Sequence, residues 1–456
     1  MRKEMFNHEI NILRDTYRRL LRRQAKTNLI KLTRKTHPAD LATVFRHFTD
    51  EEQIEIFTLM NENEHTAEFL SELDDALVND LLANESLERI ASIIEKAPTN
   101  DQSGILNVLE EEKAQSVIEL LNTEEQEEIA EIMGYPEDSA GALMNTEVFT
   151  LNEGITAGEA IKTLQDQEEA EMVFYLYITD NDDRLVGVIS LRALTTTPST
   201  TTLKDMMIKN VHSVRPETDQ EEVARVVAQY NYLAVPVIDP DSHLLGIVTV
   251  DDVVDVIREE ATEDFLQMAG AGKDREILLK SSWENAKTRL PWLFASWVGG
   301  VIAAYLIGVF ENMLENIIAL AAFIPVILGM GGNIATQSST IIVRGMATGR
   351  VNIGGEIKLI IKEMQVGLLL GILYGILLGV FAKITFPNAH NYLGVVVGLS
   401  ICVSMIVAAT VGTIIPLILR KLDIDPAVAT GPFVTTSIDI LGVLFYFLIA
   451  GLFLSM

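Results

Sequence analysis

Residues 281–456 are divided into five long stretches nearly empty of charge, and this pattern restricts the fold of the chain more than anything else in it. Residues 291–310, 316–343, 364–382 and 393–419 contain no Asp, Glu, Lys or Arg, and 427–456 contain one, Asp439. A bilayer core is crossed by about 20 apolar residues in helical form. The stretches therefore read as five spans of a multi-pass membrane protein, because five such helices in succession are hard to bury in a soluble core. Basic residues set the orientation. Lys280, Lys287 and Arg289 precede the first span, Arg344, Arg350, Lys358 and Lys362 separate the second from the third, and Arg420 and Lys421 separate the fourth from the fifth. The alternate loops carry Glu311 and Glu315, or only Lys383 and His390. A cell (inner) membrane protein with a cytoplasmic N-terminus and its C-terminus outside is expected.

The charge of the chain lies almost wholly on one side of this boundary. Residues 281–456 hold nine Lys/Arg and eight Asp/Glu, a net of +1, so of the total of −29 residues 1–280 carry −30. Residues 1–35 are locally basic, with eleven Lys/Arg against three Asp/Glu and no continuous apolar core, which reads as a solvated helix rather than a signal peptide. An acidic body of this kind does not suit a nucleic-acid partner. The only cysteine, Cys402, lies inside the fourth span as a small packing residue, so one chain can form neither a disulfide nor a thiolate metal site.

Residues 36–133 read as short amphipathic helices. Val44, Phe45 and Phe48 share a face, as do Ile105, Val108 and Leu109, and then Val117, Leu120 and Leu121. Asp50 with Gln53, and Thr123 with Gln126, have capping-box spacing. Residues 40–60 and 102–121 look like two copies of one helix–acidic turn–helix unit, giving an all-α superhelical N-terminal domain.

Residues 144–262 contain a duplication: Arg184-Leu-Val-Gly-Val-Ile-Ser-Leu matches His243-Leu-Leu-Gly-Ile-Val-Thr-Val, 59 residues later. Each copy follows a β-rich run, 173–179 or 233–238, and a helix capped at Thr156 with Glu159 or at Thr218 with Glu221. Strand, helix, strand, turn, strand, twice, resembles an α/β tandem pair of CBS domains. Such pairs often hold adenine nucleotides in the clefts between repeats. The second copy keeps Thr249-Val-Asp251-Asp252, a Thr-x-x-Asp spacing in which Asp252 can hold ribose hydroxyls, and Tyr232 offers a face to a base. The first copy has Ala193 where the acid would stand. ATP at the second repeat is the functional reading and a nucleotide-free dimer spacer is the plain one. Residues 263–290 then form an amphipathic connector, capped by Thr262 and broken at Gly270-Ala-Gly272.

Asp439 is the residue most open to a chemical reading. Thirteen uncharged residues (426–438) precede it and seventeen (440–456) follow. A carboxylate at that depth is costly unless it faces a partner or a water-filled path, and the spans contain no Lys or Arg. A passing cation is the economical partner. The second span places Gly329-Met-Gly331-Gly332-Asn333-Ile-Ala-Thr336-Gln337-Ser338-Ser339-Thr340 at membrane depth, after Pro325. Polar, glycine-rich backbone there fits a lined cavity or tight helix packing.

The order of helical domain (1–135), CBS repeats (136–205 and 206–262), connector (263–290) and five-helix membrane domain (291–456) resembles the MgtE family of magnesium channels. The motifs that carry the resemblance are Gly134-Tyr-Pro-Glu-Asp-Ser-Ala-Gly141, Val250-Asp-Asp-Val-Val-Asp255, Glu260-Ala-Thr-Glu-Asp264, Gly331-Gly-Asn333, Lys362-Glu-Met364 and Asp425-Pro-Ala427. The resemblance implies a homodimer in the lipid bilayer whose pore is lined by the second and fifth spans of both subunits, here through Gly331, Gly332, Asn333, Thr336 and Thr435. It implies that Asp439 holds a largely hydrated magnesium ion, in keeping with the reluctance of Mg²⁺ to shed water. It also implies that cytosolic magnesium bridges acids of the cytoplasmic domains and the connecting plug helix, matched here by Asp251, Asp252, Asp255, Glu260, Glu263 and Asp264, and so closes the pore.

The chain departs from that pattern at Asn100 and Gly104, in the segment aligned with the family's Asp-rich turn, at Asn231 in the second repeat and at Gly431 before the fifth span. Two other functions compete: a CBS-regulated transporter of another divalent cation such as cobalt or nickel, and a membrane-anchored nucleotide-sensing receptor. An enzyme is not expected, since the seven His are scattered and neither a nucleophile elbow nor a phosphate-binding loop is present.

Overall fold

The computed structural model describes residues 2–60, 65–166, 175–272, 277, 280–351, 355–422, 424–429 and 431–454, and it divides into two compact units, Met1–Ile257 and Arg258–Met456. Residues 173 and 174 of the first β-rich run, and much of the connector after Gly272, lie outside the described residues.

The N-terminal unit opens with short helices from Arg2–Arg22 to Thr123–Ile132. Their apolar faces meet in one core around Tyr17, Phe45, Phe57 and Phe69, all essentially inaccessible, with Phe45 set edge-on to Phe69 at 5.0 Å. Side chains that satisfy the first free N–H groups fix where these helices begin. Three caps differ from expectation. The box before Asp50–Leu59 is Thr49 with Glu52, one residue earlier than Asp50 with Gln53, and Gln53 instead donates to the Phe45 carbonyl. Asn122, not Thr123, caps Thr123–Ile132. Asp219, not Thr218, caps Gln220–Tyr230, since Thr218 accepts from the Arg215 N–H inside the preceding turn. In each case a neighbouring residue had equivalent capping chemistry, so spacing alone could not fix the register. Thr156 and Glu159 do form a reciprocal box.

The duplication is visible in the sheets. The first repeat gives β1 (Thr150–Asn152), β2 (Tyr175–Thr179) and β3 (Leu185–Ser190), with β1 parallel and β3 antiparallel to β2. The second gives β4 (Ala234–Ile238) antiparallel to β5 (Leu244–Thr249), and its first strand shrinks to a single bridge between Val214 and Val237. Both hairpins shift register at the same place, Ile178/Thr179 and Val237/Ile238. Their turns meet, with the Leu185 N–H donating to the Ser242 carbonyl at 2.8 Å. This arrangement of an all-α part followed by an α/β pair is the expected one.

One helix, Val250–Met268, follows β5 without interruption. Thr262 therefore begins no helix; its hydroxyl donates to the Arg258 carbonyl one turn back. Nothing between 250 and 268 opposes helix, and a capping residue inside such a run bonds backward. The helix ends at Gly270 (φ +70°), where the Ala271 N–H reaches the Leu266 carbonyl, a left-handed closure that favours glycine.

Five helices of the second unit are long and apolar enough to cross a membrane: Ser282–Val309, Ile318–Ala347, Glu356–Thr385, Leu393–Lys421 and Pro432–Phe453. They are called the first to fifth membrane helices below. With hydrocarbon outside, close packing rather than hydrophobic exclusion holds such helices together, and small residues permit it. A Cβ at Gly375 would lie 2.6 Å from the Gly398 carbonyl oxygen, and one at Gly379 2.6 Å from that of Gly394, which locks the third helix against the fourth. Gly412 lies likewise on the Ala335 carbonyl of the second helix. The Tyr446 hydroxyl donates to the Leu320 carbonyl at 2.8 Å, tying the fifth helix to the 3₁₀ turn that opens the second.

Candidate functional site

Asp439 is half-buried in the fifth membrane helix, and among the described residues it has neither a hydrogen-bond partner nor an ion pair. A Cβ at Gly331 would stand 2.9 Å from Ile438, so the glycine segment of the second helix passes the fifth at the level of Asp439. Gly331 is buried there, Gly332 and Thr336 are half-buried, and Asn333 points to the surface of the single chain. Thr435, one turn before Asp439, is held by bonds from its hydroxyl to the Gly431 and Pro432 carbonyls. The structure thus brings the carboxylate and this polar segment to one depth.

A second group of acids lies in the N-terminal unit. Residues 99–108 form a helix rather than an acidic turn, which brings Asn100 and Asp101 to the residues around Asp252. Burial pushes the Asp101 carboxyl up to about 6, helped by the nearby charges of Asp252, Asp251 and Glu68 and opposed by a hydrogen bond from Ser71. Burial likewise raises Asp252, with the charges of Asp251 and Asp255 adding to it. Asp252 accepts from the backbone N–H and hydroxyl of Thr249, capping the helix that follows β5, while its other oxygen accepts from Asn100 Nδ2 at 3.1 Å. Asn100 Oδ1 is buried without a partner. These oxygens form a crowded anionic face whose natural complement is a hydrated divalent cation.

A third group lies within the second unit. Asp264 is pushed up to about 6, mainly by burial and then by the charges of Asp425 and Glu260, with Arg344 pulling the other way and Glu263 adding to the rise. Glu263 also accepts from Gln267 at 2.9 Å. The helix end carrying these acids packs on the start of the fifth membrane helix, where a Cβ on Gly270 would lie 3.2 Å from Pro432. Asp251 and Asp255 are exposed on the same long helix.

At the nucleotide candidate, Tyr232 is stacked on Tyr230 (ring centroids 5.4 Å apart), and its hydroxyl bonds His212 Nδ1. Thr249 is committed to Asp252 rather than standing free.

Several residues escaped the sequence reading. Asp101 carries the acidic face of the helical domain, and Asp425 faces Asp264; both lay in segments already singled out, but only the fold supplies their partners. Glu363, just before the uncharged part of the third span, is buried and accepts from Ser338 of the second membrane helix at 2.8 Å. Asp239, Asp241 and His243 gather in the β4–β5 turn, where Asp239 holds the backbone N–H groups of Asp241 and His243.

Comparison with known proteins bears on the whole chain. Residues 324–449 match the MgtE divalent cation transporter family, 36–138 the MgtE intracellular N domain, and 140–197 and 203–259 the CBS domain. The magnesium transporter MgtE of Thermus thermophilus is 35% identical over 433 residues, 94% of this chain and 95% of that protein. That of Bacillus subtilis is 34% identical over 418 residues, 91% and 92% respectively. Among solved structures, the cytosolic domain of the Mg²⁺ channel MgtE in complex with ATP is 32% identical with a TM-score of 0.51, covering 53% of this chain and 99% of that one. The chain therefore belongs to the MgtE family of magnesium transporters.

Proposed function

We propose that two copies of this chain conduct a largely hydrated magnesium ion between their Asp439 carboxylates, and that cytosolic magnesium closes the path by binding among the acids of the cytoplasmic domains. The observation that carries the reading is the partnerless Asp439 at the depth of Gly331, Gly332 and Asn333. Two such carboxylates from a homodimer would accept hydrogen bonds from the ion's water shell, and Thr336 and Thr435 would line the approaches. The basic loops between the spans favour a cytoplasmic N-terminus and an external C-terminus.

In the closed state one ion would bridge Asp101 to Asp252, with Asn100 Oδ1 as a neutral oxygen, and another would sit among Asp264, Asp425, Glu260 and Glu263. Asp251 and Asp255 would add long-range attraction. Magnesium uptake into proteoliposomes, with magnesium on the cytoplasmic face varied, tests both halves: uptake falling as that magnesium rises supports the reading, and uptake indifferent to it removes the sensor.

Gly104 offers a graded test. It lines a cavity of about 150 Å³ with Asn100 and Asp101, and nothing lies within 4 Å of its Cβ position. Gly104→Asp should fit and add a carboxylate to the cation face. An exposed charge contact contributes about 0.2–1 kcal/mol, so half-closure should need up to roughly fivefold less magnesium. An unchanged or higher requirement would place the bridging ion elsewhere.

ATP is the proposed ligand of the second CBS repeat. The support is the ATP complex of the similar cytosolic domain and the aromatic face of Tyr232. Base–aromatic stacking contributes about 1–3 kcal/mol, so calorimetry should show saturable ATP binding that Tyr232→Ala weakens roughly tenfold. Equal affinity in the variant would mean that the base lies elsewhere.

A further inference from the structure

The third and fourth membrane helices leave between them an open groove of about 520 Å³. It exists because glycines stand where the helices cross, so that the backbones touch and no side chain fills the furrow beside them. Ile372, Ile376 and Val380 form one wall, Val395 and Leu399 the other. From Gly371 to Lys383 a helical rise of 1.5 Å per residue gives a length of about 18 Å, close to half of a roughly 30 Å hydrocarbon core. The groove thus runs the depth of one leaflet, from mid-membrane to the loop joining the two helices. At that loop its character changes. Lys383 and Asn391 flank the mouth, both exposed and, among the described residues, without an ion pair or hydrogen bond of their side chains.

We infer that this groove is a binding site for one anionic glycerophospholipid of the leaflet on the side of the third–fourth loop. The acyl chain lies along the isoleucine and valine walls, and the phosphate is held by the Lys383 ammonium and the Asn391 amide. The occupant follows from the surroundings: at bilayer depth the apolar walls are bathed in acyl chains, and the cationic mouth selects among headgroups by charge. An ammonium and an amide at headgroup level can bond a phosphate by charge-assisted hydrogen bonds. Such a lipid would supply to the furrow the contacts that the glycines lack.

Native mass spectrometry of the full-length protein, delipidated in detergent and titrated with phosphatidylglycerol or phosphatidylcholine, tests this. One phosphatidylglycerol should remain per chain, bound about tenfold more tightly than phosphatidylcholine, whose equal phosphate is accompanied by a choline cation that the Lys383 ammonium repels. Lys383→Glu should abolish the preference while leaving lipid bound. Ile376→Trp and Val395→Trp, which fill the furrow from opposite walls, should each remove the tightly held lipid. Should either tryptophan variant misfold, the other and the Lys383→Glu headgroup preference decide. Equal retention of both lipids by the wild-type protein would overturn the proposal, as would undiminished lipid in a folded tryptophan variant. Disulfide cross-linking of Ile376→Cys between two copies would also overturn it, by making the face a protein contact.

Discussion

Asp439→Asn should leave a folded protein that carries almost no magnesium. The amide keeps the shape of the side chain and removes its charge. A hydrogen bond to a charged group contributes about 1.5–3 kcal/mol, and a dimer would lose the charge from both chains at once. A loss of more than roughly 100-fold in flux is expected. Asp439→Ala should fail equally and be as stable as the parent or more so, because a carboxylate at membrane depth is itself a cost to folding. Uptake of magnesium into proteoliposomes, alongside size-exclusion profiles of both variants, checks flux and fold together. Flux within a few-fold of wild type in either variant would remove Asp439 from the conduction path.

The second large effect concerns acid and magnesium together. The Asp101 carboxyl is raised from 3.8 to about 6 in the folded chain. A raised carboxyl adds stability fully below its unfolded value and loses it as pH rises through the folded value, so ionised Asp101 opposes folding at pH 7.5. About two units correspond to roughly 2–3 kcal/mol. A bound divalent cation offsets that cost only while Asp101 is charged. Saturating magnesium should therefore raise the melting temperature of the full-length protein by about 4–8 °C at pH 7.5 and by about a third less at pH 5.5, where protonation of Asp101 weakens binding roughly fourfold. In Asp101→Asn the magnesium shift should be small at both values, and the metal-free protein should melt higher than wild type at pH 7.5. A shift equal at both pH values, or untouched by Asp101→Asn, would show that the bridging ion does not use this carboxylate.

What could be read beforehand followed from how local each signal is. The membrane helices were legible because hydrophobic length is a property of contiguous residues, and the paired hairpins because Arg184–Leu191 and His243–Val250 repeat one pattern. Asp439 stood out because a charge in an uncharged stretch needs no partner to be noticed. The two acidic clusters were only half visible. Asp252 and Asp264 lay in recognisable motifs, but Asp101 is 151 positions from Asp252 and Asp425 is 161 from Asp264, and no periodicity links residues that distant. The helix through Thr262 was missed for the opposite reason: a capping residue is conspicuous locally, yet the uninterrupted helical run from Val250 outweighs it. Asn100 shows the same limit. Its amide looked like a lost acid, whereas in the fold it donates to Asp252 and leaves its carbonyl oxygen buried without a partner.

Mixed dimers show whether two Asp439 carboxylates share one ion. Wild-type and Asp439→Asn chains carrying different affinity tags can be co-expressed, and the heterodimer purified over both tags and reconstituted. A shared site predicts flux far below half that of the wild-type dimer, because the remaining carboxylate holds the hydrated ion alone. Flux at half the wild-type value would mean that each chain conducts by itself and that no ion is shared.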